Sequence, residues 1–296
     1  MRLRSPILWF GGKGNFRKKT YPYLPKTKSY VEPFGGGASV LMGREPSEIE
    51  TYNDLDGAVY DLFTVLADPE LFEQFYRRVS ALPYSRRLFL ECREGWQAEP
   101  DRIKRVSMWY VVARQAFSGD LGSGWGFVCT SSRRGMAAHV SKWLTAIDNL
   151  PEIHKRLSRV QIENSDFRNI FQNYDTQDTL FYCDPPYVLG TRKKGGYSCE
   201  MSDQDHADLV DCLLGLSGMA VLSGYNSGVY DALEQNGWIR KDFETACYAA
   251  GRTKASGLQG RGAALEKQAR VESLWICPKT QKRLQMPMQM PLFKVG

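Results

Sequence analysis

No apolar run in this chain approaches the roughly 18 residues that a membrane-crossing helix needs, which excludes a membrane-spanning class. The basic opening, Met1 to Arg4, leads into no apolar signal segment with a small-residue cleavage site, and the expected location is the cytoplasm. The seven cysteines, at 92, 129, 183, 199, 212, 247 and 277, are odd in number and have no short paired spacings. That argues against both a zinc framework and a secreted disulfide scaffold, and no metal is expected. Acidic residues are absent from positions 1–31, which hold eight Lys or Arg. Two nucleotide signatures are missing as well. Lys13 is followed by Gly14 and the glycine spacing is wrong for a triphosphate loop, and no Gly-x-Gly-x-x-Gly fingerprint occurs. There is no internal repeat.

What is present is a chain of 296 residues, 43% apolar, long enough for one large domain or two unequal ones. Its net charge of +6 is unevenly spread, with a second basic, glycine-rich stretch over 251–262. Charge so placed can neutralise phosphates and attract a polyanion, and it gains meaning beside a site that uses one. The stretch around which the chain is organised is Leu180-Phe181-Tyr182-Cys183-Asp184-Pro185-Pro186-Tyr187. Leu180 to Tyr182 have the apolar and aromatic character of a buried strand. Pro185 and Pro186 lack the backbone donor that a central ladder needs, so the strand must stop there. A carboxylate, backbone carbonyls and a ring are then held at the carboxyl end of a strand, where open α/β sheets bind ligands. Such a set can accept hydrogen bonds from an amino group and stack on a flat heterocycle.

The rest of the chain reads as α/β. Ser29 to Glu32 is strand-like and leads into Pro33-Phe34-Gly35-Gly36-Gly37, whose glycines permit a tight turn and close approach of a ligand to backbone donors. A helix begins in Ala38 to Met42, and a second strand, Glu48 to Tyr52, ends at Asn53-Asp54. Strand, glycine loop, helix and acid-terminated strand make a Rossmann-like half whose acid can hold ribose hydroxyls. Without the pyrophosphate fingerprint, it suits a nucleoside cofactor.

Residues 68–158 read as an inserted, mostly helical domain, with Ile103, Val106, Trp109, Tyr110 and Ala113 at three- and four-residue intervals. Within it Arg114-Gln115 opens a run of glycines and aromatics that ends at Phe127, and Arg133-Arg134 follow. Arg and Gln can read base edges, and a mobile surface loop is the competing account. The sheet resumes near Val160 to Asn164. Directly after it, Asp166-Phe167 offers a carboxylate beside an aromatic wall, with a helix cap as the alternative. Val188 to Cys199, containing Arg192-Lys193-Lys194, is expected to form a basic lid. Helices are expected at Asp203 to Gly215 and Val229 to Asn236. Strands are expected at Met219 to Ser223 and, as an antiparallel pair, at Trp238 to Tyr248 and Val271 to Cys277. The tail, 279–296, shows no convincing period.

In identity and order these motifs resemble the Dam-type, alpha-group DNA adenine N6-methyltransferases, which use S-adenosylmethionine. The resemblance rests on Trp9 to Lys13, Glu32 to Gly37, Asn53-Asp54, Asp166-Phe167 and Asp184 to Tyr187, and covers about residues 5–63 and 160–277. It implies a Rossmann-like class I methyltransferase fold, an α/β mixed sheet, divided between 1–67 and 159–278 by a target-recognition domain at 68–158. It implies that Trp9, Gly11, Gly12 and Lys13 form an N-terminal cofactor motif, and that Glu32, Phe34, Gly35 and Gly37 form the turn beside the cofactor. Asp54 would hold the ribose, Asp166 and Phe167 the cofactor adenine, and Asp184 would adjoin both cofactor and base. Asp184, Pro185, Pro186 and Tyr187 would receive the target base.

Arg114, Gln115, Arg133, Arg134, Arg192, Lys193 and Lys194 are the expected contacts to double-stranded DNA, and a restriction endonuclease is a candidate second partner. His206 is expected on a helix surface, without a general-base role. Arg114 to Leu121 lacks the asparagines of members that modify GATC, so that target is not implied.

The implied chemistry is direct. Asp184 and the carbonyl of Pro185 would accept the hydrogens of an adenine amino group, favouring the geometry in which its lone pair points at the methyl group. The target atom is out of reach inside a duplex, so the base must flip out, with Tyr187 stacking on it and Pro186 shaping the other side. Cytosine N4-methylation acts on the same kind of amine and is the enzyme alternative. A DNA-binding protein with a degenerate cofactor fold is the non-enzyme one.

Overall fold

The computed structural model describes residues 3–9, 16–189, 199–246 and 269–285. In chain order, helix α1 (Arg17–Thr20) precedes strand β1 (Ser29–Glu32), helix α2 (Ser39–Gly43), strand β2 (Ile49–Asn53) and helix α3 (Gly57–Ala67). A helical stretch follows: α4 (Pro69–Ser80), α5 (Arg86–Gly95) and α6 (Arg102–Gln115). A hairpin of β3 (Ser132–Arg133) and β4 (Met136–Ala137) leads to α7 (Ala138–Asp148) and α8 (Leu150–Leu157). Strands and helices then alternate as β5 (Gln161–Glu163), α9 (Phe167–Tyr174), β6 (Thr179–Cys183), α10 (Asp203–Gly215), β7 (Met219–Gly224) and α11 (Asp231–Gln235). The last described elements are β8 (Ile239–Ala246), β9 (Ala269–Ile276) and α12 (Pro278–Arg283).

Seven strands make one sheet in the order β5-β2-β1-β6-β7-β9-β8. The first five are parallel, and β9 pairs antiparallel with both β7 and β8. This is the expected Rossmann-like mixed sheet. Every residue of β6 and β7 is buried, as a parallel sheet covered on both faces requires. The chain winds from β1 through β2 to β5, then returns to place β6 on the other side of β1. The strand order therefore reverses between β1 and β6, and the crevice outside the carboxyl ends at such a reversal is the favoured ligand site of open α/β sheets. Val31 pairs with Phe181 in the β1–β6 register, so the turns that begin at Pro33 and Asp184 leave the sheet side by side.

Three helices of 68–158, α4, α5 and α6, start at capping side chains. Asp68 accepts from the Glu70 and Leu71 amides with Pro69 in the first turn, and Ser85 and Asp101 cap α5 and α6 in the same way. Helix α6 is buried from Trp109 to Ala113 and belongs to the same continuous core as the sheet. From α8, Arg156 reaches Glu50 of β2 (Nη2–Oε1 2.8 Å), where Arg44 also donates (3.1 Å). The hairpin β3–β4 was not legible in the sequence, because two-residue strands carry no period. Its turn has Arg134 and Gly135 at φ 53° and 73°, the left-handed pair that a tight hairpin needs. The first residues of the tail also take a regular form. Helix α12 starts on Cys277, whose Sγ accepts from the Thr280 and Ala220 amides. Among the described residues no helix is long and apolar enough to cross a membrane.

Candidate functional site

A cleft of about 930 Å³, counting its open mouth, lies at the carboxyl ends of β1, β2, β5 and β6. Its floor is the glycine turn between β1 and α2. Gly35 donates to the Asn53 carbonyl (2.7 Å) and Gly36 donates to Asp54 Oδ2 (2.7 Å), which seats the carboxylate of β2 against the turn of β1. Gly36 has φ +47°, and a Cβ there would lie 2.7 Å from Trp9 Nε1. The side chain of Asn53 joins three strand ends. Its Nδ2 donates to the carbonyls of Pro33 (2.8 Å) and Ser165 (2.9 Å), and its Oδ1 accepts from the Ser165 amide (2.9 Å).

The opposite wall is aromatic and acidic. Phe34 and Phe167 lie 5.3 Å apart, and Asp166 caps α9 through the Arg168 amide (2.9 Å). The Arg168 guanidinium donates to both oxygens of Asp166 (3.1 and 3.0 Å), to Asp205 (2.7 Å) and to Asp208 (2.5 Å). It also stacks over the Phe167 ring at 4.4 Å. One cation thus fixes both the carboxylate and the ring of this wall, and its hydrogen bonds hold Asp205 down to about 2.

Two other acids shift the opposite way. Burial pushes Asp54 up to about 6, against the opposing pull of the Asp56 and Gly36 amides. Burial also drives Glu32 up to about 8, although the Tyr30 hydroxyl donates to it (2.7 Å) and Arg44 lies nearby; the Asp184 charge adds to the rise. A carboxyl with a shifted pKa in a cleft, as Asp54 is, is a candidate functional group.

The cleft brings together Trp9, Phe34, Gly35, Gly37, Asp54, Asp166, Phe167, Asp184 and Pro186 of the expected site. Gly11, Gly12, Lys13, Arg192, Lys193, Lys194 and the 251–262 stretch lie outside the described residues. Glu32 corrects an expectation. Expected in the turn beside the cofactor, it is the last residue of β1, is 2% exposed and does not line the cleft. Pro185 and Tyr187 are buried and are not among the residues that line the cleft. Tyr187 is buried, with its hydroxyl 3.2 Å from Ser223 Oγ and its ring edge-on to Tyr225 at 4.6 Å.

His206 is another correction. It is buried, not on a helix surface, and its Nδ1 lies 3.0 Å from the Tyr230 hydroxyl, because α10 turns that face toward the segment before α11. Gln115 is buried with its amide bonded internally, so it presents no edge to a base. Arg114 is half-buried and donates to the Lys142 carbonyl (3.4 Å), while Arg134 is turned back onto Ser141 (3.0 Å). Arg133 is exposed on the hairpin. Among the lining residues outside the expected set are Gly36, Asn53, Ser165, Met201 and Asp205. The glycine run and the Asn53-Asp54 pair carried a signal for the first two.

A family model described as D12 class N6 adenine-specific DNA methyltransferase matches residues 9–242. The chain is 23% identical over 198 residues to the modification methylase LlaI of Lactococcus lactis subsp. lactis, a match that covers 64% of this chain and 30% of that protein. It is 21% identical over 193 residues to a DNA adenine methylase of Vibrio cholerae, covering 62% of this chain and 65% of the relative. The matches thus span less than two thirds of the length of either relative.

Proposed function

Because the chain belongs to the D12 class N6 adenine-specific DNA methyltransferase family, we propose that it transfers the methyl group of S-adenosylmethionine to the exocyclic amine of an adenine in duplex DNA. The observation that carries this reading is the cleft at the strand-order reversal, where Asp184 from the β6 turn faces the same space as the acid and glycine turn of β2 and β1. The residues present fit the cofactor. Asp54 offers a carboxylate for two ribose hydroxyls, Phe34 and Phe167 a flat wall for a purine, and Asp166 an acceptor for its amine. The glycines let the turn pack directly on Tyr52 and Trp9, where a Cβ would clash, and Gly35, Gly36 and Gly37 all line the cleft. When bound, the cofactor supplies an electrophilic methyl group on a sulfonium.

The chain's own work is then to orient and polarise the target amine. Asp184 accepts one amino hydrogen and the Pro185 carbonyl the other, which favours a lone pair directed out of the ring plane. Such preorganised acceptors stabilise the charge that develops on nitrogen during attack. Tyr187, anchored through Ser223 and Tyr225, is the ring proposed to stack on the displaced base. The likeness to a modification methylase extends the proposal to protection of DNA against a restriction endonuclease.

Nucleoside mass spectrometry of unmethylated duplex DNA incubated with the protein and S-adenosylmethionine tests the reading. N6-methyladenine is expected. N4-methylcytosine would reverse the target base, and no modified base in varied sequence contexts would overturn the assignment.

The raised Asp54 carboxyl adds a pH dependence. Only the ionised form accepts from both ribose hydroxyls, so cofactor affinity should be flat above neutrality and fall as pH drops through about 6. The effect on stability has the opposite sign. The folded value lies above the unfolded one, so this group's contribution to stability declines as pH rises from the ordinary carboxylate range to about 6. Calorimetric titration of S-adenosylmethionine at several pH values, for wild type and Asp54→Asn, checks this. The same pH profile in the variant would assign the effect to another group.

A further inference from the structure

The surface of the 68–158 segment carries a construction with no role in the cleft chemistry. Its internal bracket is Gln115, at 0% exposure. The Gln115 Oε1 accepts from the Ser85 amide (3.3 Å) and from Trp125 Nε1 (3.2 Å), and Nε2 donates to the Pro83 carbonyl (3.3 Å). The Gln115 carbonyl accepts from the Gly126 amide (2.8 Å), and the Tyr84 hydroxyl donates to the Gly126 carbonyl (2.5 Å). These bonds lock the turn before α5 against the loop that follows α6. A buried amide satisfied in this way fixes one geometry for the groups it holds.

What the bracket displays is Arg86. Its guanidinium carbon lies 5.0 Å from the Trp125 ring centroid and 5.2 Å from that of Phe127. The two rings are nearly parallel, 13° apart in plane with centroids separated by 6.0 Å, and Phe127 is 49% exposed. Arg86 takes no ion pair among the described residues, whereas its neighbour Arg87 is bridged to Glu91 (2.8 Å). It also stands in the first turn of α5, where the helix's own partial positive charge opposes a cation. Arg86 is exposed beside these rings, and a guanidinium carries its donors in a planar fork that matches two oxygens of one anion.

This platform is tied to the cleft. Gly119, at φ +74° in the same loop, packs so closely on Leu8 that a Cβ would lie 2.8 Å from Leu8 Cβ, and Leu8 precedes Trp9 of the cleft wall. The loop therefore packs beside the neighbour of the cleft residue Trp9 at Gly119 and carries the Arg86 platform at Trp125 and Phe127. We propose that Arg86, held on Trp125 and Phe127, clamps a backbone phosphate of the DNA duplex whose target base enters the cleft. The proposal rests on the DNA-methylating reading above. It adds a contact that no motif in the sequence indicates.

The test is fluorescence-anisotropy titration of several duplexes over a salt series, for wild type, Arg86→Ala, Arg86→Lys and Phe127→Ala. Melting curves and S-adenosylmethionine affinity are measured alongside. Arg86→Ala should weaken every duplex about equally, by roughly tenfold, and reduce the magnitude of the salt slope by about 1. Arg86→Lys keeps the charge and loses the fork, so it should fall between. Phe127→Ala should weaken binding less than Arg86→Ala and leave the slope intact. Melting and cofactor affinity should stay at wild-type values. Unchanged DNA affinity in Arg86→Ala overturns the phosphate clamp alone, as does a loss confined to one base position, which would make Arg86 a base reader. Wild-type protein that binds no duplex overturns the clamp and the DNA-methylating reading together.

Discussion

Replacing Asp184 with Ala is expected to lower the single-turnover rate of methyl transfer by roughly 10²–10³-fold, the usual cost of removing one preorganised polar group from a reacting centre. The reason lies in the local chain. Strand β6 is buried along its length, and the two prolines that end it deny the carboxylate any freedom to follow a floppy turn. Asp184 is half-buried and opens into the cleft; burial raises both Tyr182 and Glu32, and the Asp184 charge adds to each rise. The rest of the proposed cofactor site, the glycine turn with Asp54 and the Phe34–Phe167 wall, comes from other strands and is held by other bonds. Cofactor affinity should therefore survive nearly intact.

Asp184→Asn retains the shape and one acceptor and should fall between wild type and Ala. Rapid-quench transfer from labelled S-adenosylmethionine, with calorimetric cofactor binding on the same preparations, separates the two effects. A near-wild-type rate in Asp184→Ala removes this residue from the chemistry. Loss of cofactor binding in step with the rate would make its role one of assembling the pocket.

The second large effect is expected from a single methyl group. In Gly35→Ala the new Cβ would run into the ring of Tyr52, and that ring has nowhere to go. Tyr52 is fully buried, stacked on Phe63 at 4.3 Å and 9°, and its hydroxyl donates to the Gly36 carbonyl (2.6 Å). Relief requires either the β2 core or the glycine turn to shift, at a cost of about 1–3 kcal/mol or more for overpacking. A shift of the turn also breaks the Gly36–Asp54 hydrogen bond that seats the proposed ribose acceptor. Gly35→Ala should thus lower the melting temperature and abolish measurable S-adenosylmethionine binding together. Gly57→Ala is the control, since a Cβ there meets nothing within 4 Å and no loss of either property is expected. A Gly35→Ala protein with wild-type melting and cofactor affinity would mean that the turn is not a rigid floor.

Both predictions concern residues that stand out in the bare chain, and the reason is locality. A proline that lacks a donor, a glycine that lacks a Cβ and an acid at the end of an apolar run act on their immediate neighbours. Asp184, Gly35, Asp54 and the Asp166-Phe167 pair could therefore be picked out before any fold was known, and they line one cleft. The two-residue strands of the hairpin were too short for any period to reveal them.

The sequence by itself thus determined the alternation of strands and helices, the turns at which the parallel strands stop, and the chemistry those turns can offer. Only the tertiary structure decided which polar side chains face inward, because burial depends on segments distant in the chain. Glu32 is buried at the end of β1, His206 lies against Tyr230, and Gln115 lies inside a bracket made by residues on both sides of α5 and α6. The same packing stands Arg86 on Trp125 and Phe127. No pattern within a local window encodes that contact, since it exists only where a helix start and a later loop are locked together by a buried amide.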